Sequence, residues 1–345
     1  MNPLMAQTVR FAYRGQQVSL RGASAMMQRV ARRLIREESP LPSREQRRAF
    51  IESFEQLIER DFANAAAGIY PWSLLFQIPV STYARTLPRL ARDLPNVLRR
   101  RQRGDWKDLP DEVDLDAYPP YYRRTFHWQS DGYLSRRSAE LYDVGVEFLF
   151  GGTADVMRRQ VIPPIVAHAR GRDRPLRVLE VACGTGRVGS QLLSALPDAR
   201  YVGIDLSPYY IEVARERLAG SGGRVRFEVA NAESLPFTDS SFDAVCCVYL
   251  FHELPRNARR RVWNEMRRVL RPGGCLVIED SLQPADAGPM GMFLERFPED
   301  MHEPFYRDYL EDDLAEGLRQ TGWWVHGTER AFLSKVVSAQ RPPSA

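Results

Sequence analysis

The segment most able to do chemistry in this sequence is a glycine turn at residues 178–186, which read VLEVACGTG. An apolar run with the pattern of a strand precedes Gly184 and Gly186, and a helix is predicted after them. Glycine lets the backbone turn sharply and lie close to a ligand where any Cβ atom would collide, while the start of the helix presents unpaired N–H groups. The turn therefore predicts a site for a nucleotide-type cofactor.

The identity of that cofactor depends on the residues around the turn. With Gly189, the two glycines also match the G-x-G-x-x-G pattern of dinucleotide sites, and Asp205 follows Gly184 by 21 residues, close to the spacing of about 20 for a ribose-binding acid. Glu180 favours another ligand, because a carboxylate at a strand end would repel a pyrophosphate but attract the ammonium or sulfonium end of S-adenosylmethionine. S-adenosylmethionine is thus the predicted cofactor, and a nicotinamide dehydrogenase is the alternative.

Polar residues also follow the next two predicted strands. Asp205 comes after the strand at 200–204, and Asn231 comes after the strand at 225–229. Ligands of open parallel sheets bind at the carboxyl ends of the strands. Asp205 can accept hydrogen bonds from both ribose hydroxyls, although a simple surface-turn carboxylate would look the same. Asn231, with the backbone N–H of Ala232, can contact the adenine edge.

Three later motifs agree with this interpretation: YVGIDLS at 201–207, NAESLPF at 231–237 followed by SFD at 241–243, and RVLRPGG at 268–274. With the glycine turn they resemble the class I S-adenosylmethionine-dependent methyltransferases of the type-11 group, which includes the ubiquinone and menaquinone C-methyltransferases. The resemblance covers roughly residues 138–340. It implies an α/β fold with a Rossmann-like seven-stranded sheet, mostly parallel with its last strand antiparallel. Ala182 stands where many relatives have glycine, and Asn231 stands where many have aspartate.

The same resemblance implies the residues of the cofactor site. They are Tyr142, Glu180, Ala182, Cys183, Gly184, Thr185, Gly186, Asp205, Leu206, Asn231, Ala232, Glu233 and Tyr249. Tyr142 enters this set by resemblance only, from a lead-in helix at 140–150. The product left by S-adenosyl-L-methionine would be S-adenosyl-L-homocysteine.

His252 is the predicted catalytic residue. It follows the fourth predicted strand, where the resembled family places residues that face the methyl group and the acceptor. An imidazole with a pKa near neutrality suits a general base. Its alternative role is to cap the next helix or to pack beneath a lid. Asp280, after the fifth predicted strand, is either a substrate contact or a helix-initiating acid.

The aromatic segment at 118–133 is the predicted wall of the acceptor site. It supplies the candidate substrate contacts Tyr121, Tyr122, His127, Trp128 and Tyr133, in addition to His252 and Asp280. Rings of this kind either line a substrate site or form a packing seam between two parts of the chain. No metal site is predicted, because the four cysteines lack the spacing of metal ligands.

The order of elements predicts how the chain is divided. Strands are predicted at 176–181, 200–204, 225–229, 244–248, 274–279, 323–328 and 333–339. The N-terminal third is predicted to be mainly α, with helices at 24–37, 43–67 and 80–101, of which the last should end or kink at Pro88 and Pro95. An acidic, proline-bearing stretch follows residue 105. The predicted parts are an N-terminal helical domain (1–105), a linker and aromatic cap segment (106–137) and a methyltransferase domain (138–345).

Bulk composition excludes several other classes of protein. The 345 residues are 44% hydrophobic and 27% charged with a net charge of +4, as in an ordinary soluble globular protein. No apolar run approaches the ~20 residues that span a bilayer, and no secretory signal is visible, which predicts a cytoplasmic protein without a transmembrane segment. The basic run at 99–103 is followed at once by acidic residues, so no nucleic-acid partner is expected.

These observations predict a methyltransferase that moves the methyl group of S-adenosylmethionine to a carbon, oxygen or nitrogen of a small aromatic or lipophilic metabolite. The expected partner is that small-molecule acceptor, and a homodimer is left open. The alternative function is a non-methylating S-adenosylmethionine-binding assembly or accessory protein.

Overall fold

The fold is built on one central sheet. A computed structural model describes residues 3–34, 42–77 and 80–343. Within these ranges, seven strands form a sheet in the order β3-β2-β1-β4-β5-β7-β6. The strands are β1 (Arg177–Val181), β2 (Arg200–Asp205), β3 (Val225–Val229), β4 (Phe242–Val248), β5 (Leu270–Ser281), β6 (Trp324–Ala331) and β7 (Ser334–Gln340). Strands β1 to β5 pair in parallel, whereas β7 is antiparallel to both of its neighbours, β5 and β6. The predicted Rossmann-like sheet is confirmed.

The central strands β1 and β4 could be predicted because apolar residues dominate them, with Arg177, Glu180 and Asp243 as their only charged residues. Every residue of β4 is buried, as are four of the five residues of β1. Parallel strands covered on both faces read as continuous apolar runs. The register pairs Val181 with Ile204 on one side and with Cys247 on the other, so the carboxyl ends of β1, β2 and β4 lie together. Strand β5 starts earlier than predicted, at Leu270, which pairs with Phe242 across a register shift.

Helices cover both faces of the sheet. In the described residues they are α1 (Pro3–Leu34), α2 (Arg44–Ala66), α3 (Val80–Arg103), α4 (Arg136–Leu149), α5 (Ala154–Arg158), α6 (Ile162–Ala169), α7 (Arg187–Ala195), α8 (Pro208–Arg217), α9 (Arg256–Val269), α10 (Pro284–Ala287), α11 (Gly291–Met301), α12 (Tyr306–Leu310) and α13 (Leu314–Gln320). Ile165 of α6 and Leu192 of α7 belong to the apolar layer on one face. Trp263 of α9 and Leu318 of α13 belong to the layer on the other face.

The first helix corrects one N-terminal prediction. Helix α1 begins at Pro3, so Ser24 does not cap it but is buried within it. The predicted positions 35–37 lie outside the described residues. Tyr13, only 1% exposed, packs in the core, and such tertiary contacts override weak local preferences.

Helix α3 continues through Pro88 and Pro95, so of the two predicted effects of these prolines, an end or a kink, the helix does not end at either of them. A proline frees the carbonyl four residues earlier, here those of Ala84 and Ala91. All four residues are exposed, so water can satisfy the freed carbonyls.

In the described ranges, no helix combines the length and the apolar run of a membrane span.

Helix α2 starts as predicted and connects the N-terminal helices to the sheet. The Ser43 hydroxyl accepts the Gln46 N–H at 3.1 Å, and the side-chain amide oxygen of Gln46 accepts the Ser43 N–H at 2.7 Å, which is a capping box. Farther along α2, the buried carboxylate of Asp61 accepts hydrogen bonds from Arg159 Nε at 2.9 Å and from the Tyr70 hydroxyl at 2.6 Å. The N-terminal helices thus share a core with the sheet. The division of the chain after residues 105 and 137 stays a prediction.

Candidate functional site

A cleft opens where the carboxyl ends of β1, β2 and β4 meet. The space in it that a water-sized sphere can occupy is about 100 Å³. Predicted site residues that line it are Tyr121, Tyr122, Tyr133, Tyr142, Ala182, Gly184, Asp205, Leu206, Asn231, Ala232 and Tyr249. The structure therefore brings most of the predicted cofactor residues and three of the predicted acceptor contacts to one cavity.

The glycine turn and Asp205 form the floor of this cleft. Ala182, Gly184 and Gly186 all have left-handed backbone, with φ of 56°, 53° and 74°. The Gly184 N–H donates to one oxygen of Asp205 and the Ser207 N–H donates to the other, both at 2.9 Å, so the carboxylate is fixed in orientation. Burial raises the pKa of Asp205 to about 6, against the opposing effect of these backbone donors. The group is still mainly ionised at neutral pH and can accept hydrogen bonds from a diol.

The end of β3 forms the other side of the floor. The Asn231 side-chain oxygen accepts the Glu233 N–H at 2.9 Å, which holds a tight turn and leaves the amide NH₂ group as a donor. Glu233 does not line the cleft, because its carboxylate accepts the Tyr121 hydroxyl at 2.6 Å and pairs with Arg261. Glu233 thus positions Tyr121, which does line the cleft.

Aromatic rings form the wall opposite the turn. Tyr133 lies 5.5 Å from Phe126, 5.5 Å from Tyr210 and 6.1 Å from Tyr142, measured between ring centroids. The segment 118–133 contributes two of these four rings, Phe126 and Tyr133. Trp128 is placed differently, since it is buried against His302 at 4.7 Å. The segment therefore both lines the cleft and packs against the rest of the chain.

Four predicted cofactor residues lie around the turn without lining the cleft. Glu180 is 1% exposed, and its carboxylate accepts the Tyr201 hydroxyl at 2.5 Å. Burial raises the pKa of Glu180 to about 8, so its carboxyl is mostly protonated at neutral pH. The Thr185 hydroxyl donates to Asp143 at 2.8 Å, Cys183 is buried, and Gly186 begins α7. The sequence favours a cationic cofactor because Glu180 is expected to carry a negative charge. In the folded protein that charge is thus largely absent.

His252 and Asp280 form a buried pair behind the cleft. His252 Nδ1 lies 2.5 Å from Asp280 Oδ1, and the Phe251 N–H donates to the other carboxylate oxygen at 2.7 Å. Burial alone would lower the pKa of His252, but Asp280 outweighs it and raises the pKa to about 9. An imidazole that already carries its proton at neutral pH cannot accept another. Neither residue lines the cleft, so the predicted role of His252 as base lacks direct access to an acceptor.

Glu253 is a cleft residue that the sequence prediction missed. It lines the cavity, and its Oε1 accepts the Tyr133 hydroxyl at 2.5 Å and lies 4.0 Å from His252 Nε2. A carboxylate beside the acceptor wall is able to take a proton. The signal that could have identified it is its place directly after His252, past the end of β4.

The chain is similar in sequence to known methyltransferases. Residues 178–274 match a family model described as a methyltransferase domain. A demethylmenaquinone methyltransferase of Deinococcus radiodurans is 35% identical over 147 residues, which are 43% of this chain and 58% of that protein. The O-methyltransferase cnsE of Penicillium expansum is 37% identical over 153 residues, which are 43% of this chain and 52% of that protein.

A solved structure of an O-methyltransferase family protein from Burkholderia thailandensis has a TM-score of 0.46 at 21% identity, with 61% of each chain covered. In sequence, the chain spans little more than half the length of the two relatives from Deinococcus radiodurans and Penicillium expansum. The matched part contains the glycine turn, Asp205 and Asn231.

Proposed function

Since residues 178–274 are a methyltransferase domain of the class I S-adenosylmethionine-dependent type, we propose that the whole chain methylates a small aromatic or lipophilic metabolite. The observation that carries this proposal is the cleft, in which the carboxylate of Asp205 faces a wall of tyrosines. The acceptor atom is a carbon, an oxygen or a nitrogen. The two relatives support the first two, because one is named for demethylmenaquinone and the other for O-methylation.

The residues of the cleft fit S-adenosylmethionine. Asp205 offers both carboxylate oxygens for a ribose diol, Gly184 keeps bare backbone beside it, and Asn231 offers an amide donor for an adenine edge. Bound there, S-adenosylmethionine supplies a methyl group on a positively charged sulfur. The protein's contribution is then mainly alignment of the two reactants.

The aromatic wall determines which acceptors fit. Tyr122, Tyr133 and Tyr142 line the cleft, and flat apolar molecules pack against aromatic rings with the exclusion of water. A hydroxyl acceptor needs a group that takes its proton, and Glu253 is a carboxylate in this wall. We therefore assign Glu253 to proton acceptance and His252 to positioning it from behind.

Calorimetry with S-adenosylhomocysteine tests the cofactor assignment. Asp205→Ala should weaken binding by about 1.5–3 kcal/mol, the range for hydrogen bonds to a charged acceptor. The matched control is Asp198→Ala, which removes an exposed carboxylate near the opposite end of β2 and should leave the affinity unchanged. Tight NADH binding with no affinity for S-adenosylhomocysteine would contradict the proposal.

Turnover tests methylation separately from binding. The protein is incubated with S-adenosylmethionine and a panel of hydroquinones, phenols and aromatic amines, and methylated products are detected by mass spectrometry. Product formation from at least one aromatic class is expected, with S-adenosylhomocysteine released in equal amount. Binding of cofactor without turnover on any class would favour a non-methylating accessory protein instead.

A further inference from the structure

A cluster of three metal-ligating side chains lies beside the aromatic wall. His127, Glu253 and Glu303 come from distant parts of the chain, yet one ligand atom from each lies within 4.8 Å of the others. His127 Nδ1 is 3.1 Å from Glu303 Oε1, and His127 Nε2 is 3.4 Å from Glu253 Oε1. The imidazole thus lies between two carboxylates.

Glu303 is buried without the hydrogen bonds that a carboxylate needs. Its side chain is fully buried, and neither of its oxygens has a hydrogen-bond partner among the described residues. The approach of His127 Nδ1 is short, but it lacks the alignment of a hydrogen bond, and that nitrogen is also unpartnered there. Desolvating a carboxylate in this way is unfavourable unless a cation compensates it.

The backbone of His127 is held in an uncommon conformation. Its φ is 54°, and that of Trp128 is 55°, within the one-turn helix Phe126–Trp128. Non-glycine residues with positive φ are uncommon and cluster at functional sites. The conformation places the imidazole against Glu253 and Glu303 instead of in the cleft.

We propose that His127, Glu253 and Glu303 form a site for a divalent transition-metal ion, with Zn²⁺ and Mn²⁺ as the ions to test. One imidazole nitrogen and two carboxylate oxygens form a donor set that such ions accept. Two ligands bound at about 2.1 Å from one ion lie roughly 3.0–3.4 Å apart, which is also the spacing of each imidazole nitrogen from its own carboxylate.

Binding requires one local change in His127. Each nitrogen now faces a different carboxylate, and a single ion reaches only one of them, so the ring must turn and release a bound proton. The surrounding groups are suited to hold Glu253 in place. Tyr133 donates to Glu253, and His252 Nε2 stands 4.0 Å from the same carboxylate while Asp280 fixes its other nitrogen.

The site would lie in the wall of the cleft, because Glu253 lines it. An ion with three protein ligands keeps an open position for water or a substrate oxygen. If the proposed function holds, that position suits a hydroxyl or carbonyl oxygen of the acceptor. The metal site itself does not depend on that function, and while an ion is bound Glu253 serves as its ligand instead of as the proton acceptor.

The experiment titrates Zn²⁺ and Mn²⁺ into the full-length protein after dialysis against EDTA. We expect one ion per chain, and Glu303→Gln, which keeps the shape of the side chain, should weaken binding about 100-fold or more. Glu279→Gln is the matched control, because Glu279 is also fully buried but bonds to Ser334 outside the cluster. It should bind the ion like the wild type.

Two results would overturn the site. One is that neither ion binds in stoichiometric amount. The cluster is then a protonated imidazole paired with two carboxylates. The other is equal binding by the wild type and by Glu303→Gln. If that variant does not fold, His127→Gln replaces it, with exposed His326→Gln as its control. Titration of S-adenosylhomocysteine into the same samples reports on the cofactor site separately, so failure of one proposal leaves the other testable.

Discussion

The protonation state of His252 links a single side chain to the stability of the fold. Its folded pKa is raised to about 9, whereas an unfolded histidine has a pKa of about 6.5. A raised pKa contributes stability that is fully present below about pH 6.5 and is lost as the pH rises through about 9. The interactions that raise this pKa, of which those with Asp280 are the largest, therefore contribute up to about 3 kcal/mol near pH 6.5 that is lost above about pH 9.

Urea unfolding across this pH range tests the pair. The free energy of unfolding of the wild type should fall between about pH 6.5 and pH 9, and that of His252→Gln should fall less. His326→Gln, a change at an exposed histidine, should keep the wild-type decline. A His252→Gln curve parallel to the wild type would contradict the raised pKa.

At the level of single residues, the sequence predicted which residues lie near the cleft better than which of their side chains point into it. Asp205 and Asn231 line the cleft because they follow strands that the apolar pattern locates. Beyond β4, the chain instead turns through Tyr249, whose φ is 56°, into the short helix Phe251–Glu253. That turn points Glu253 to the cleft and His252 away from it. Local geometry of this kind has no signature in residue spacing.

At the level of elements, the sheet was predictable and the N-terminal helices were less so. The central strands β1 and β4 have buried, mainly apolar runs that are typical of parallel strands covered on both faces. Helix α1 lacks such a signal over its first part, and its extent depends on contacts such as that of Gly152 with α1, where an added Cβ would lie 2.7 Å from Leu20 Cβ. The metal cluster was not predictable either, because the loop before α4 and the chain after α11 meet only in the folded protein.

The loop at Gly132 determines where the aromatic wall stands. Its φ is 56°, and an added Cβ would lie 2.4 Å from the Arg124 carbonyl oxygen. Gly132→Ala should therefore cost roughly 2–5 kcal/mol in the free energy of unfolding, from left-handed strain plus overpacking. Because Tyr133 is the next residue, the variant should also bind S-adenosylhomocysteine more weakly.

Gly171→Ala separates the effect of left-handed backbone strain from the effect of overpacking. Gly171 has a φ of 74°, but no described atom lies within 4 Å of the added Cβ, so only the backbone strain of about 1–2 kcal/mol applies. Its affinity for S-adenosylhomocysteine should equal that of the wild type. Equal losses of stability and affinity in the two variants would show that the Arg124 contact does not position the wall.

At the scale of the whole molecule, a buried ion pair connects the N-terminal helices to the sheet. Asp61 of α2 is fully buried and accepts two hydrogen bonds from Arg159, which is itself 3% exposed. The hydroxyls of Tyr13 and Tyr70 donate to the same carboxylate. Ser53 of α2 also bonds the Phe332 carbonyl oxygen next to β7. With these contacts, residues 1–105 and the sheet should unfold together.

Asp61→Asn tests that coupling. It leaves the guanidinium of Arg159 buried without its counter-charge, which should lower the free energy of unfolding by about 3–5 kcal/mol. Hydrogen exchange should show amides of α2 and of β4 losing protection in one transition. Glu52→Gln, at the exposed pair with Arg48, should cost less than about 1 kcal/mol.

Replacing both partners distinguishes a missing charge from a missing contact. Asp61→Leu combined with Arg159→Met removes the unpaired charge along with the pair, so it should be less destabilising than Asp61→Asn alone. Recovery should be incomplete, because Tyr13 and Tyr70 lose their acceptor in both cases. If α2 exchanges freely in Asp61→Asn while β4 stays protected, the N-terminal helices are an independent unit and the shared core does not hold the two parts together.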